Sequence, residues 1–157
     1  MKNLALTLLF LGAAYSAIIQ VPEDHATIQA AIDASEDGDT IQVAADTYNE
    51  NINFNGKNIA VVGDNQETTI IDGGGSGSVV TLDSGQDQTA ALAGFTITNG
   101  EADEGGGIYI MGSSPTLVGL TISGNSAGDY GGGIYIAGEA DPTLTNLTIS
   151  GNDADYY

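Results

Sequence analysis

The chain repeats itself at a spacing of 26 to 27 residues. The segment Gly105-Gly-Gly-Ile-Tyr-Ile110 returns as Gly131-Gly-Gly-Ile-Tyr-Ile136, and Pro115–Asn125 returns as Pro142–Asn152. A degenerate earlier copy of the second segment occupies residues 90–100. Self-similarity at a fixed period of about 20–50 residues indicates an array of stacked structural units.

Within each copy the apolar residues alternate with polar ones. Leu120 and Ile122 would face one side of an extended segment while Thr121 faces the other, and this period of two indicates strands. Gly, Asn and Ser end each strand after a few residues. One repeat is too small to bury its own apolar side, so successive repeats must stack. The pattern predicts an all-β, right-handed parallel β-helix with three short strands per turn.

Stacking in register predicts three inward columns of apolar side chains, all of which we expect to be buried. The columns are Leu92, Leu117 and Leu144; Phe95, Leu120 and Leu147; and Ile97, Ile122 and Ile149. The same register predicts that Tyr109 and Tyr135 stack on the outside of the solenoid. It also predicts an amide ladder between Asn125 and Asn152 at one turn.

The N-terminal residues have the pattern of a targeting segment. Lys2 precedes an apolar run from Leu4 to Ala14 that is too short to span a bilayer, and Ala14 and Ser16 are small residues at the positions that a signal peptidase reads. Residues 1–16 are therefore predicted to be a signal peptide cleaved near Ser16 or Ala17. This predicts a secreted, extracellular or cell-surface protein with no membrane span after cleavage. A buried N-terminal strand or helix is the alternative.

A capping helix is predicted ahead of the strands. Apolar residues at 28, 31, 32 and 34 have helical spacing, Thr27 is a candidate N-cap, and Gly38 follows the end. A short helix over residues 27–35 would cover the apolar end of the first coil. Residues 17–157 are then a single β-helix domain.

The composition excludes several classes of partner. The formal net charge is −19, with 21 acidic residues, no arginine, and Lys2 and Lys57 as the two basic residues. Binding to nucleic acid needs basic side chains to neutralise phosphates, so it is not expected. The chain has no cysteine, which excludes disulfides and thiolate metal sites.

Four N-terminal segments resemble the start of pectin-lyase-fold proteins, a superfamily that includes pectin methylesterases. They are Thr27–Ile41, Thr47–Glu50, Ile59–Gly63 and Thr69–Gly73. The Gly-Gly-Gly-Ile-Tyr-Ile and Thr-Ile-Ser-Gly-Asn repeats resemble uncharacterised secreted right-handed β-helix proteins and, more loosely, the repeats of chlamydia-type polymorphic outer membrane proteins. The resemblance implies the fold but does not specify the activity, because one fold hosts many activities.

The chain lacks the residues that the enzymes of this superfamily need. A uronate lyase uses a basic Arg or Lys and a cation, but there is no Arg here and Lys57 lies in a predicted turn. Gln86–Thr89 resembles the catalytic segment of pectin methylesterases only superficially. Hydrolases pair carboxylates on a strand face, whereas the acidic residues here are predicted to lie in turns. We assign no catalytic residue.

Acidic residues recur at equivalent positions of successive coils and are candidate calcium ligands, because hard cations take oxygen ligands. The candidates are Glu101, Asp103, Glu104, Asp129, Asp153 and Asp155. Their spacing matches no known calcium loop, so a solvated acidic edge is the alternative. No cofactor is required by the sequence, with calcium as the candidate.

We therefore expect a secreted, non-catalytic β-helix module for surface adhesion or polysaccharide binding, with Tyr109 and Tyr135 as candidate contacts to a polysaccharide or cell-surface glycan. Exposed tyrosines are also favoured in strands without any ligand. The alternative function is the N-terminal part of a carbohydrate-active enzyme, resembling pectate lyases or pectinesterases, whose catalytic coils are absent.

The last coil is expected to be unfinished. Residues 152–157 correspond to residues 125–130, which are followed at once by Gly131–Ile136. The sequence stops where the next such strand would begin. We expect a domain truncated at its C-terminus or one that associates end to end through open strand edges.

Overall fold

The repeated segments form short strands that stack along one axis. The computed structural model describes residues 16–156, which form a parallel β-solenoid of about five turns with one short helix. In chain order the elements are β1 Ile18–Val21, α1 Ile28–Ala34, β2 Thr40–Val43, β3 Thr47–Asn49, β4 Ile52–Asn53, β5 Ala60–Gly63, β6 Ile70–Asp72, β7 Val80–Leu82, β8 Ala91–Ala93, β9 Thr96–Thr98, β10 Glu101–Glu104, β11 Ile108–Met111, β12 Thr116–Val118, β13 Thr121–Ser123, β14 Ser126–Tyr130, β15 Ile134–Ala137, β16 Thr143–Thr145, β17 Thr148–Ser150 and β18 Asp153–Ala154.

The strands form four parallel sheets along the sides of the solenoid. Their orders are β1-β2-β5-β8-β12-β16, β3-β6-β9-β13-β17, β4-β7-β11-β15 and β10-β14-β18. The all-β fold class is confirmed. Three strands per turn is correct for β2–β4 and β5–β7 but wrong for the next two turns, which contain four strands each because β10 and β14 add a side.

The predicted register of the core is confirmed. Leu117 pairs with Leu92 on one side and with Leu144 on the other, and Ile122 pairs with Ile97 and Ile149 in the same way. In these columns the members before the last coil are fully buried. The core therefore continues along the axis, one apolar layer per coil.

The expectation that every column member is buried is wrong in the last coil. Leu144 is 43% exposed and Ile149 is 52% exposed, while Leu147 is partly buried. These side chains occupy the predicted inward positions, but no described residue stacks over them. Their exposure follows from their place at the end of the described solenoid and not from a different register.

The N-terminal helix is capped at its first turn by two side chains. The structure confirms Thr27 as the N-cap, with Oγ1 accepting from the Ala30 amide at 3.2 Å. The Glu50 carboxylate accepts from the amides of Ile28 and Gln29, each at 2.9 Å. An anion at this position satisfies free N–H groups and favours the helix dipole. The helix begins and ends one residue inside the predicted range.

Lys57 is hydrogen-bonded to the C-terminal end of α1. Its Nζ donates to the carbonyl oxygens of Ile32, Asp33 and Ser35 at 2.6 Å, 2.8 Å and 2.7 Å. A cation is favourable at a helix C-terminus, and this ammonium uses three donors there. Within residues 16–156 no helix is both long and apolar enough to cross a membrane. The predicted signal peptide, apart from Ser16, lies outside the described residues.

The repeated triple glycine forms the corner between two sides of the solenoid. A Cβ atom on Gly106 would lie 2.1 Å from the Ser126 carbonyl oxygen, and one on Gly132 would lie 1.8 Å from that of Asp153. Only a residue without a side chain permits the next coil to pass so close. The Gly-Gly-Gly signature is therefore a packing requirement of this corner, which joins the acidic strands to the tyrosine-bearing strands.

Candidate ligand-binding face

The acidic segments are strands, so their prediction as turns was wrong. In β10, β14 and β18, Ala102 pairs with Ala127 and Ala127 pairs with Ala154. Ala127 is only 4% exposed, so these alanines point inward. Acidic and other polar residues then alternate outward on both sides of each alanine. The short inward methyl groups hid the strand pattern, because the apolar alternation elsewhere uses Leu, Ile and Val.

An open groove of about 650 Å³ lies on this acidic side. Its lining residues are Gly77, Ser78, Glu101, Ala102, Asp103, Ser126, Ala127, Gly128, Asp153 and Asp155. Its residues Ser126, Ala127 and Gly128 come from the middle strand β14, and its carboxylates come from β10 and from residues 153–155 on either side of that strand. Four of the six candidate calcium ligands thus line one groove, whereas Glu104 and Asp129 do not.

The groove keeps its carboxylates apart. Glu101 pairs with Ser126, which pairs with Asp153, so the two acids are separated by two strand spacings, about 9–10 Å between backbones. Over the described part of the chain, no group of three or more His, Asp or Glu side chains lies close enough together to hold a metal ion. The separation of these carboxylates favours the solvated acidic edge over a calcium site, and the comparison of calcium with magnesium described below tests this.

Tyr109 and Tyr135 stack outside the solenoid as predicted. Their strands are in register, the ring centroids are 5.6 Å apart, and the ring planes differ by 15°. Two rings lying flat and side by side on the surface would need a larger centroid distance, so these rings overlap face to face. One face of each ring is therefore turned toward the other ring. Both side chains are half-buried.

Glu104 connects the two sides of the corner. The Glu104 carboxylate, as a hydrogen-bond acceptor near the Tyr135 hydroxyl, raises the pKa of Tyr135 above its ordinary value, with burial adding to the effect. In the adjacent coil Glu104 is paired with Tyr130. One carboxylate thus lies between tyrosines of two neighbouring sheets.

A second tyrosine pair was not singled out from the sequence. Tyr130 and Tyr156 have centroids 6.2 Å apart and planes inclined by 48°, and they are 45% and 60% exposed. Tyr130 is the last residue of β14, and Tyr156 lies two residues after the end of β18. Both therefore follow the groove residues of their own coil. The signal was present, because Asp129-Tyr130 and Asp155-Tyr156 recur at the same spacing as the other repeats.

We call the surface formed by the groove carboxylates, Glu104 and the four tyrosines the tyrosine–carboxylate face. It comprises Glu101, Asp103, Glu104, Tyr109, Tyr130, Tyr135, Asp153, Asp155 and Tyr156. The face contains no Lys, Arg or His. The one lysine among the described residues, Lys57, is bound to carbonyl oxygens at α1. The arrangement offers hydrogen-bond acceptors and aromatic rings but no cation for an anionic ligand.

Searches of protein families, of curated proteins and of solved structures find no match to this chain.

Proposed function

We propose that this protein is a secreted, non-catalytic β-helix of the pectin-lyase-fold type that binds polysaccharide through the tyrosine–carboxylate face. The observation that supports this most is the exposed, tilted pair Tyr130–Tyr156 at the end of a carboxylate-lined groove. The predicted signal peptide supports secretion. The resemblance of the N-terminal segments supports the fold type.

The chemistry of the face suits a sugar chain. Tyrosine rings offer a rigid apolar surface for the C–H faces of sugars, and Tyr hydroxyls provide a polar edge. The carboxylates of Glu101, Asp103 and Glu104 can accept hydrogen bonds from sugar hydroxyls. The strands of successive coils recur every 4.7–4.9 Å or so along the solenoid axis. A polysaccharide lying along that axis would therefore meet equivalent protein groups at a spacing close to the length of one sugar residue.

The charge restricts the ligand to neutral or cationic glycans. The chain carries a formal charge of −19, and the face has acidic but no basic side chains. A polyuronate would meet like charges without a compensating cation, which costs free energy and slows the encounter. Adhesion to a neutral surface glycan would use the same contacts.

The runner-up is a carbohydrate-active enzyme, and one observation favours it. Glu101 and Asp103 lie two residues apart on the outer side of β10, so their backbones are separated by about 6.6 Å. Glycoside hydrolases act through two carboxyl groups about 5–9.5 Å apart, and two side chains on one face of a strand at this backbone spacing can reach such a separation. The sequence pattern predicts no such pair on a strand, and this prediction is wrong.

Affinity electrophoresis with neutral polysaccharides tests the proposed site. We expect xyloglucan, galactomannan or a mixed-linkage β-glucan to retard the native protein, and polygalacturonate to leave its mobility unchanged. Tyr156→Ala should weaken retardation at least tenfold, because it removes the most exposed ring. Ile18→Ala is the matched control and should leave the retardation unchanged, because it removes an exposed apolar side chain on β1, outside the tyrosine–carboxylate face.

Circular dichroism is used to verify that each variant is folded, and retardation is compared only among folded proteins. Retardation by polygalacturonate instead of the neutral polymers would contradict the charge argument. Failure of all three neutral polymers to retard the native protein would contradict polysaccharide binding itself.

A further inference from the structure

The carboxylate of Asp39 is nearly buried and is aimed at the beginning of the described chain. The side chain is 7% exposed. Its Oδ1 accepts from the backbone N of Ala17 at 2.7 Å, and its Oδ2 accepts from the Glu36 amide at 2.8 Å. These two N–H groups hold the pKa of Asp39 below its ordinary value. A buried carboxylate is costly unless it is hydrogen-bonded or paired with a cation.

Ala17 is tied to the second coil at both of its backbone polar groups. Its carbonyl oxygen accepts from the Thr40 amide at 2.9 Å, and its nitrogen donates to Asp39. The preceding residue, Ser16, is exposed. β1 begins directly after Ala17, at Ile18.

We propose that the Ser16–Ala17 peptide bond is the one cut when the signal peptide is removed, and that Asp39 is the binding site for the new α-ammonium group of Ala17. A signal peptidase hydrolyses the bond with one water molecule. Ser16 leaves with a carboxylate on the released segment, and Ala17 gains an amine that takes up a proton. The amide-to-carboxylate hydrogen bond thereby becomes a charge-assisted one.

Cleavage one residue later would damage the fold. Removing Ala17 would delete both the donor to Asp39 and the acceptor of the Thr40 amide. Cleavage one residue earlier would leave Ala17 as an uncharged amide. The small side chains of Ala14 and Ser16 suit recognition at the Ser16–Ala17 bond. Sequence alone allowed cleavage near Ser16 or Ala17, and the geometry selects between these bonds.

The charged groups around this site set its dependence on pH. Lys57 favours the charged form of Asp39, although its Nζ is bound at the end of α1. Glu36 and Asp37 lie in the same loop as Asp39 and add negative potential. An α-ammonium with an ordinary pKa of about 7.7–8.0 would have it raised by these acids. Its contribution to stability is then complete below about pH 7.7 and is lost as pH rises through the raised value.

Two measurements test the proposal. Mass spectrometry of the secreted protein should give a chain that begins at Ala17, and any other first residue would overturn the assignment. The mature protein is then compared with the same chain acetylated at Ala17, which keeps the N–H donor but removes the charge. Acetylation should lower Tm by a few degrees at pH 6–7 and have no effect near pH 11.

Asp39→Asn supplies the control for this comparison, because its amide oxygen can still accept from the Ala17 nitrogen but carries no charge. The Glu36 amide loses its acceptor in this variant whether or not Ala17 is acetylated, so that loss cancels in the comparison. Acetylation should lower the Tm of Asp39→Asn by less than it lowers the Tm of the native protein, because only Glu36 and Asp37 then remain to attract the ammonium group. Equal effects of acetylation on the native protein and on Asp39→Asn, or no effect on either, would overturn the pairing. The readout does not involve glycan binding, so it is independent of the proposed function.

Discussion

Asn125 donates through Nδ2 to Oδ1 of Asn152, one coil further along the solenoid, at 2.9 Å. The same side chain reaches back to the preceding coil, where its Oδ1 accepts from the Gly100 amide at 2.9 Å and its Nδ2 approaches the Ile97 carbonyl at 3.1 Å. Asn125 is 2% exposed. One buried amide therefore connects three successive coils, and the predicted amide ladder between Asn125 and Asn152 is confirmed.

Replacing this amide should destabilise the solenoid markedly. Asn125→Ala leaves the Gly100 N–H and the Ile97 carbonyl without their side-chain partner, and each buried unsatisfied group costs about 1–3 kcal/mol. We expect a loss of about 2–4 kcal/mol in the free energy of unfolding, measured by urea denaturation. Asn152→Ala is the matched control and should cost less, because water can reach the last coil. Equal losses would contradict a continuous internal ladder.

Two leucines in the same column should differ in their contribution to stability. Leu117→Ala removes a fully buried side chain and should cost about 2–5 kcal/mol. Leu144→Ala, one coil later, removes a side chain that is 43% exposed and should cost less than half as much. Chemical denaturation of both variants provides the comparison. A larger loss for Leu144→Ala would show that the last coil is covered in solution.

The sequence was sufficient for the register because bulky apolar residues recur at one spacing. Leu92 and Leu117 are unambiguous inward residues, and the paired asparagines mark the same turn in two coils. It was insufficient for β10, β14 and β18, whose inward residues are alanines and whose outward residues are acidic. Strand formation there depends on pairing with the neighbouring coil, which a local pattern does not contain.

The candidate face was only partly predictable. Tyr109 and Tyr135 were expected outside and stacked, but sequence could not show that their ring faces cover each other. The accessible rings are those of Tyr130 and Tyr156, which recur with the repeat but follow acidic residues whose sequence pattern predicts turns. Glu104 and Tyr135 lie on different sheets, on either side of a corner of the solenoid. Their proximity therefore depends on how the backbone turns at the triple glycine.

Calcium should have no specific effect on stability. Glu101 and Asp153 are held two strand spacings apart by the pairing of their strands with β14, and a calcium ion needs several oxygen ligands at 2.3–2.6 Å or so. We expect millimolar calcium and magnesium to raise Tm equally, by screening repulsion among the carboxylates. Differential scanning fluorimetry at matched ionic strength makes the comparison. A calcium-specific rise that is lost in Asp153→Asn would establish a site.

The central claim is that the tyrosine–carboxylate face binds a glycan without cleaving it, and it is tested most directly by measuring retention and product release in the same sample. The native protein is incubated with the neutral polysaccharide that retards it most, and reducing ends are followed over time beside Glu101→Gln, which removes one carboxylate of the β10 pair. We predict retention of the native protein with no reducing ends above the level of the variant. Release of reducing ends by the native protein but not by Glu101→Gln would contradict the claim and establish a hydrolase.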